Sequence, residues 1–167
     1  MIHTIAEFEH IWAPEMESTQ KILKHLTTAS LSHAAGPEDR TLGRLAWHLV
    51  LSIGEMMNRT GLTINGPDEH APVPQTAKEI FQAYSTAAIS LLEGIRKNWS
   101  DDTLKTEDEM YGERWSRAMT LQALIFHQIH HRAQMTVLMR EAGLEVPGVY
   151  GPARQEWAAY GMQPPAV

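Results

Sequence analysis

Two histidines four residues apart carry the clearest chemical signal in the sequence. His127 and His131 lie in the run Phe-His-Gln-Ile-His-His-Arg-Ala-Gln, which spans residues 126–134. On an α-helix this spacing places both imidazoles on one face, one turn apart, where they can bind a single metal ion. His48, in another predicted helix, is the candidate for a third ligand. The sequence therefore predicts a metal site built from two helices.

Three imidazoles without a thiolate define the chemistry expected of such a site. The chain contains no cysteine, so any metal must be held by His, Asp or Glu. Neutral imidazole nitrogens favour a divalent ion such as zinc or nickel. Three protein ligands leave one coordination position open for water, a thiol or a substrate, which is typical of catalytic zinc sites. A di-iron centre is disfavoured because no pair of Glu-x-x-His motifs is present, and His-Glu-x-x-His protease chemistry because Gln128 occupies the position of the general base.

The alternative for each histidine is an ordinary hydrogen-bonded side chain. A lone histidine near an apolar face, such as His48 considered by itself, is more often a core or boundary residue than a ligand. Two inward imidazoles are more costly to bury, because an apolar core does not satisfy their nitrogens. A bound metal ion removes that cost. We therefore favour a three-histidine metal site over three buried free histidines.

Helical phase predicts which side chains surround the site. At about 100° per residue, the interior face of the last helix is predicted to carry Ala123, Leu124, His127, His131, Gln134 and Leu138, whereas Gln128, Arg132 and Met139 point elsewhere. His130 lies near the edge of this face. We assign no catalytic side chain beyond a metal-bound water or thiol; the candidates to support the ligands from behind are Gln134, Glu55, Ser52 and His130.

Four helical segments are predicted from apolar residues spaced three and four apart. They span residues 4–28, 41–60, 76–99 and 118–142, with stop signals at Gly61 and Gly143 and a capping box formed by Thr76 and Glu79. Residues 100–117 are polar and acidic and are expected to include a short extended or turn element, and an irregular tail follows residue 143. These patterns predict an all-α four-helix bundle with long connecting loops, in a single domain over residues 1–167.

Composition limits the classes of function. The formal net charge of −6 and the pI near 5.8, without a basic stripe, argue against nucleic-acid binding. No segment approaches the ~20 apolar residues of a membrane span, and the N-terminus lacks the basic and apolar regions of a signal peptide. We therefore expect a soluble, cytoplasmic protein whose partner is a small molecule, with no nucleic acid and no membrane.

Three segments carry a family resemblance: Leu-Ala-Trp-His at residues 45–48, His-Gln-Ile-His-His-Arg-Ala-Gln at 127–134, and Val-Pro-Gly-Val-Tyr-Gly-Pro at 146–152, which leads to Glu156 and Trp157. In these the chain resembles the DinB-like (DinB/YfiT-like) family of bacterial four-helix-bundle metalloenzymes, over nearly its whole length. The resemblance implies the bundle fold and a metal bound by His48, His127 and His131, with His130 as a neighbour. Gln128 and Ala133 depart from the frequent family run His-Glu-x-His-His-Arg-Gly-Gln, but the three histidines are intact.

The resemblance also implies a metal-dependent enzyme of the hydrolase or thiol S-transferase type that acts on a small molecule. A low-molecular-weight thiol is the expected partner in the second case. Arg132 or Gln134 is a candidate to steer an anionic substrate, although a solvated surface charge is the more ordinary interpretation of Arg132. The alternative function is a non-catalytic, stress-related metal- or ligand-binding bundle. It predicts a site closed by a fourth ligand such as Glu55, or a cavity too small for a substrate.

We also expect a homodimer. The expectation rests partly on the resemblance and partly on Trp47 and Leu51, which lie off the main apolar face predicted for their helix. The other tryptophans considered for an interface are Trp12, Trp99 and Trp115, although tryptophans are more often core or boundary residues. A purely structural dimerisation module is the third alternative.

Overall fold

The computed structural model describes residues 2–166, which are mainly helical and include one small sheet. The α-helices are α1 (Ile5–Lys24), α2 (Leu42–Met57), α3 (Ala77–Asn98) and α4 (Arg117–Glu141). Short 3₁₀ segments lie at Thr28–Ser32, Asn58–Thr60, Asp101–Lys105 and Arg154–Tyr160, and two strands, β1 (Glu107–Met110) and β2 (Glu113–Ser116), precede α4. The prediction of a mainly helical chain is confirmed. The extended element expected within residues 100–117 is this hairpin.

Local capping determines where the helices begin and end. The Thr76 side chain accepts a hydrogen bond from the backbone N–H of Glu79, whose carboxylate accepts from the backbone N–H of Thr76, so the predicted capping box is confirmed. The first predicted helix was too long. It ends at Lys24, because Thr27 caps a new 3₁₀ segment through the backbone N–H of Ser30. The second ends at Met57 and is followed by a 3₁₀ turn that Gly61 closes with a φ of 81°.

The helices pack so that each has two principal neighbours. α2 contacts α3 and α4, and α1 contacts α3 and α4. The shared interior consists of large apolar side chains, among them Phe8, Trp12, Leu49, Ile53, Tyr84, Leu91, Leu121 and Leu124. Burial of these groups stabilises the fold through the hydrophobic effect, and it fixes α2 against α4, the two helices that carry the three histidines.

The hairpin reaches back to α2 through its turn. Tyr111 and Gly112 connect the strands with φ angles of 54° and 84°, the left-handed pair that a two-residue hairpin turn requires. A tyrosine rarely adopts such a φ. The Tyr111 hydroxyl donates a hydrogen bond of 2.6 Å to Glu55 on α2. This bond places the turn beside the end of α2, downstream of His48.

The irregular tail packs on the helices and is held by its own turn. The Glu156 carboxylate accepts hydrogen bonds from the backbone N–H groups of Gly148 and Ala153, at 3.1 and 2.8 Å. A Cβ atom at residue 148 would lie 2.2 Å from the carbonyl oxygen of Gly151, so only glycine fits there. Lys21 of α1 donates to the carbonyl of Gly148 at 2.8 Å. The closed turn presents Tyr150 to the helices.

Arg132 lies in the core, which corrects its interpretation as a surface charge. Its side chain is 2% exposed and donates to the Glu15 carboxylate, the Thr19 hydroxyl and the Tyr150 hydroxyl. The Tyr150 hydroxyl donates in turn to Glu15 at 2.7 Å. The charged pair is therefore buried with hydrogen-bond partners from α1, α4 and the tail, as buried charges require.

The buried face of α4 also differs from the predicted one. Gln128 and Met139 are buried together with Arg132, whereas Gln134 is exposed and Phe126 is 60% exposed. Leu124 and Leu138 are buried as predicted. The phase was wrong because α4 carries apolar residues on both faces. The face that enters the core is the one whose polar side chains find hydrogen-bond partners there.

Trp47 and Leu51 are buried within the chain, which removes them as evidence for a dimer interface. The Trp47 Nε1–H donates to the carbonyl of Ala71 at 2.8 Å, and Leu51 is 6% exposed. Trp12 is likewise buried, with its Nε1–H donating to the carbonyl of Ala88. Among residues 2–166, no helix is long and apolar enough to cross a membrane.

Candidate metal centre

Three histidines meet where α2 faces α4. His48 belongs to the middle of α2, and His127 and His131 lie one turn apart on α4. One ring nitrogen of each lies within 4.8 Å of the others, and the Nε2 atoms of His48 and His127 are 3.0 Å apart. The ring centroids are separated by 4.4 to 4.7 Å. The structure thus brings together the three residues that the sequence singled out as ligands.

The cluster lies at the edge of the core and not in its centre. All three histidines are partly buried, whereas the neighbouring Gln128 and Arg132 are fully buried. This corrects the prediction that His127 and His131 occupy the middle of the interior face. A position at the edge keeps the site within reach of a molecule from solvent, because the rings form part of the protein surface.

The environment favours the neutral form of the imidazoles. Burial, together with smaller contributions from the neighbouring His127 and His131, lowers the pKa of His48 to about 4. Burial likewise lowers the pKa of His127 to about 4, with added contributions from His131 and His130. The pKa of His131 is lowered mainly by burial, although its hydrogen bond to Gln134 acts in the opposite direction. Neutral imidazoles are the form that binds metal ions.

Gln134 orients one of the three rings. Its Oε1 lies 2.7 Å from Nδ1 of His131. Since an amide oxygen only accepts, Nδ1 carries the proton and Nε2 of His131 keeps its lone pair. This is the arrangement by which a polar neighbour fixes the tautomer of a metal-binding histidine. Gln134 was predicted to support the site from the interior face; it touches the predicted ligand, but from the exposed side of α4.

Gln128 and Ser52 connect the two helices beside the cluster. The Gln128 Nε2 donates to the carbonyl of Leu49 at 2.9 Å and to the Ser52 hydroxyl at 3.2 Å. A glutamate at this position has no N–H to donate and would direct a carboxylate at the Leu49 carbonyl. The departure from the family run at Gln128 therefore has a structural reason: the amide joins α4 to α2 within a buried contact.

Glu55 and His130 lie near the cluster without joining it. The Glu55 carboxylate pairs with Arg59 at 3.1 Å and accepts the Tyr111 hydroxyl. It is not a member of the group of close ring nitrogens found among residues 2–166. His130 is exposed, and its ring centroid lies 4.8 Å from that of His131. The non-catalytic alternative predicted Glu55 as a fourth ligand. In the structure its carboxylate instead contacts Arg59 and Tyr111.

Two open clefts border the histidines. One has a volume of about 370 Å³ and is lined by Arg44, His48, Leu51, Ser52, Glu55, Arg59, Glu69 and His70. The other has a volume of about 460 Å³ and is lined by Ala35, Asp39, Arg40, Leu45, His131, Gln134, Val137, Leu138 and Glu141. Both volumes are in the range of small-molecule sites, roughly 300–1,000 Å³.

Arg40 and Arg44, which line these clefts, were not predicted from the sequence. Arg44 carried a signal that could have been used, because it lies four residues before His48 and therefore on the same face of α2. Arg40 carried none, since it lies in the loop before α2, where no periodicity applies.

The nitrogen donors fit a divalent metal ion. A tetrahedral zinc ion with Zn–N distances of about 2.05 Å separates two ligand nitrogens by about 3.3 Å. The Nε2 atoms of His48 and His127 are 3.0 Å apart, so only a small adjustment is needed. Three neutral imidazoles that converge can direct three nitrogen lone pairs at one cation, which they cannot do for one another.

The chain is therefore a helical protein with a candidate metal centre, formed by three histidines between two packed helices. A family model described as the DinB family matches residues 1–165, and the chain belongs to this family. The uncharacterized protein YrdA of Bacillus subtilis (strain 168) is 42% identical over 167 residues, which is 100% of both chains.

Solved structures support the same relationship. The crystal structure of a DinB-like protein from Bacillus cereus ATCC 10987 has a TM-score of 0.87 and 45% sequence identity, and the match covers 90% of this chain and 100% of that chain. A DinB-like protein from Bacillus subtilis, YjoA, has a TM-score of 0.67 and 17% identity over 86% of this chain and 96% of its own, which shows the shared fold alone.

Proposed function

We propose that this protein is a metal-dependent enzyme of the DinB family that acts on a small molecule, as a hydrolase or a thiol S-transferase. In this proposal His48, His127 and His131 bind one divalent ion, with zinc or nickel as the best matches to three imidazoles. The observation that carries it is the convergence of three imidazole nitrogens within 4.8 Å. The fold is taken to be a four-helix bundle in one domain, which is supported by the family match over residues 1–165.

Each residue of the site has a part in this proposal. The three histidines hold the ion, and Gln134 keeps His131 in the tautomer whose Nε2 is free to bind. Once bound, the ion would lower the pKa of a coordinated water or thiol and polarise a carbonyl group of the substrate. The clefts at His48 and His131 provide room for a substrate or a low-molecular-weight thiol. Three protein ligands and an open surface favour an enzyme over a closed structural metal site.

Metal analysis tests the proposal directly. Protein purified without an affinity tag is expected to contain, or to take up, about one zinc or nickel ion per chain, measured by plasma mass spectrometry. His48→Ala, His127→Ala and His131→Ala are each expected to lose the ion. His130→Ala is the matched control, because it removes an exposed imidazole next to His131 from the same helix. It should bind metal like the wild type.

Two other outcomes would contradict the metal site or the catalytic role. Wild-type protein that carries no metal and ignores added zinc and nickel would contradict the proposed site. A metal-loaded protein that neither hydrolyses small-molecule esters and amides nor transfers low-molecular-weight thiols to electrophiles would instead support the non-catalytic, ligand-binding alternative.

We also propose that the protein forms a homodimer. The support now comes from α4, where Phe126 and Val137, eleven residues apart and therefore on the same side of the helix, are 60% and 58% exposed. Light scattering during size-exclusion chromatography measures the mass directly, and a value near the 18.8 kDa of one chain would contradict the dimer.

A further inference from the structure

Two arginines border the histidine cluster without a protein partner. Arg44 lies one turn before His48 and lines the cleft on that side. Arg40 lines the cleft that contains His131 and Gln134. Both are exposed, and within residues 2–166 neither guanidinium group makes a hydrogen bond or an ion pair. Arg59, which lines the first cleft as well, is paired with Glu55 at 3.1 Å.

The carboxylates of the two clefts are mostly engaged elsewhere. Glu55 accepts from Arg59 and Tyr111. Glu141 lies 3.4 Å from His33, and Glu69 lies 3.4 Å from His70. Asp39, the remaining carboxylate, precedes Arg40 in the chain and makes no ion pair with it. The clefts therefore contain carboxylates as well as arginines, but among residues 2–166 no carboxylate forms an ion pair with Arg40 or Arg44.

This charge is unfavourable for the proposed metal ion considered alone. The Arg40 charge acts on all three histidines, and the Arg44 charge acts on His48, in each case lowering the pKa of the imidazole. The same field repels a cation bound between the rings. A bound ligand of negative charge would offset this repulsion.

Because Arg132 is held in a buried ion pair, it is excluded as a residue that binds an anionic substrate. The sequence suggested Arg132 as a residue that steers an anionic substrate, but its guanidinium is occupied by Glu15, Thr19 and Tyr150. Guanidinium groups that can form two parallel hydrogen bonds are the usual partners of carboxylates and phosphates. Of the arginines that line the two clefts, those free to do this are Arg40 and Arg44.

We propose that Arg40 and Arg44 bind the anionic group of the substrate, a carboxylate or a phosphate, while its reacting group lies at the three-histidine centre. The inference rests on the proposed function and names its substrate class, a small anionic molecule. Arg44, fixed on α2 one turn from His48, positions the anion beside that histidine. Arg40 approaches from the loop on the His131 side.

Anion titration of the zinc-loaded protein tests the inference. Inorganic phosphate and succinate are titrated calorimetrically into wild type, Arg40→Gln, Arg44→Gln and the control Arg140→Gln, which removes an exposed arginine near the far end of α4. Hydrogen bonds between charged groups contribute enough to predict an affinity loss of about ten-fold or more in Arg44→Gln. A smaller loss is expected in Arg40→Gln and none in Arg140→Gln. The anion that binds more tightly identifies the class, phosphate or carboxylate.

Zinc affinity, measured on the same variants, separates binding from folding. Removal of a positive charge should leave zinc affinity unchanged or raise it by a few-fold, opposite in sign to the effect on the anion. The inference is overturned if wild-type protein binds neither anion, if both arginine variants bind anions like the wild type, or if they lose zinc and anion together. Should the wild type bind no zinc, the proposed function fails. In that case the same titrations on the metal-free protein still show whether the two arginines bind an anion.

Discussion

His131 and Arg132 are neighbours in the chain, yet they belong to two polar clusters that differ in burial and in the kinds of groups that meet there. Arg132 is buried, and its guanidinium meets an opposite charge on Glu15 and hydroxyl oxygens of Thr19 and Tyr150. His131 is partly buried and meets two further imidazoles. In the first cluster donors and acceptors are matched, whereas in the second three groups of one kind converge.

The difference separates a cluster that stabilises the fold from a cluster that is ready to bind a ligand. The Glu15–Arg132–Tyr150 cluster is complete within the chain, so nothing is gained by adding a ligand. The histidine cluster is incomplete: burial and mutual repulsion keep it neutral, and the Nε2 atoms of His48 and His127 face each other at 3.0 Å. Binding of a cation would satisfy it. Substitutions in the two clusters should therefore differ in their effects on folding and on binding.

Loss of Arg132 should have the largest effect. Arg132→Met leaves the Glu15 carboxylate buried without its charge partner, which typically costs about 3–5 kcal/mol. For a chain of this size the melting temperature should fall by roughly 10 °C or more. Thermal unfolding followed by circular dichroism measures the change. Arg140→Met, an exposed position of the same helix, is the control.

The histidine cluster supplies the contrast. His131→Ala in metal-free protein should change the free energy of unfolding by less than about 1 kcal/mol, because the side chain is only partly buried and gains no opposite charge. A loss in His131→Ala as large as that in Arg132→Met would contradict the division into a stabilising and a binding cluster.

Acidification should destabilise the metal-free protein between pH 6.5 and pH 4. The folded-state pKa of His48 and His127 is about 4, below the ordinary 6.5, so the unfolded chain takes up protons first as the pH falls. The free energy of unfolding is therefore highest above pH 6.5 and declines as the pH approaches 4. With solvent screening of these partly exposed rings, the loss should be on the order of 1 kcal/mol per histidine.

Urea unfolding at pH 7 and pH 5, after removal of metal with a chelator, measures this dependence. The double variant His48→Asn/His127→Asn should show a clearly shallower decline. If it declines as steeply as the wild type over the same interval, other groups determine the acid sensitivity.

Loss of the Gln134 amide should have the smallest effect on the free energy of unfolding, because Gln134 is exposed. Gln134→Leu removes the acceptor that fixes the tautomer of His131, and zinc affinity should fall by about ten-fold, the lower end of the range for such neighbours. Competition with a chromophoric chelator measures the affinity. Gln134→Glu retains an acceptor oxygen and should bind zinc at least as well as the wild type. Equal weakening in both variants would show that Gln134 acts in some other way.

The histidine cluster was predictable because its geometry is largely local. The spacing of His127 and His131 fixes their common side on any α-helix. His48 was the third candidate because it lies in another predicted helix, and the family resemblance then implied the same ligand. The capping box at Thr76 and the helix stops at Gly61 and Gly143 were local as well, and each lies where it was predicted. Metal binding itself stays a prediction.

The buried cluster was not predictable, since Glu15 and Arg132 lie 117 positions apart and nothing in either neighbourhood indicates the other. The phase of α4 failed for a related reason. Apolar residues lie on both faces of the helix, including the exposed Phe126 and Val137, so periodicity did not distinguish them. Gln128 and Arg132 could be assigned to the core only once their partners on α1, α2 and the tail were known.

The long reach of the Arg132 contacts has a consequence for how the chain is made. Glu15 is synthesised early, but Tyr150 emerges from the ribosome eighteen residues after Arg132. Until then the Arg132 guanidinium can meet Glu15 and Thr19 but not the Tyr150 hydroxyl. The buried charged cluster between α1 and α4 is thus completed by a segment that is made after all four helices.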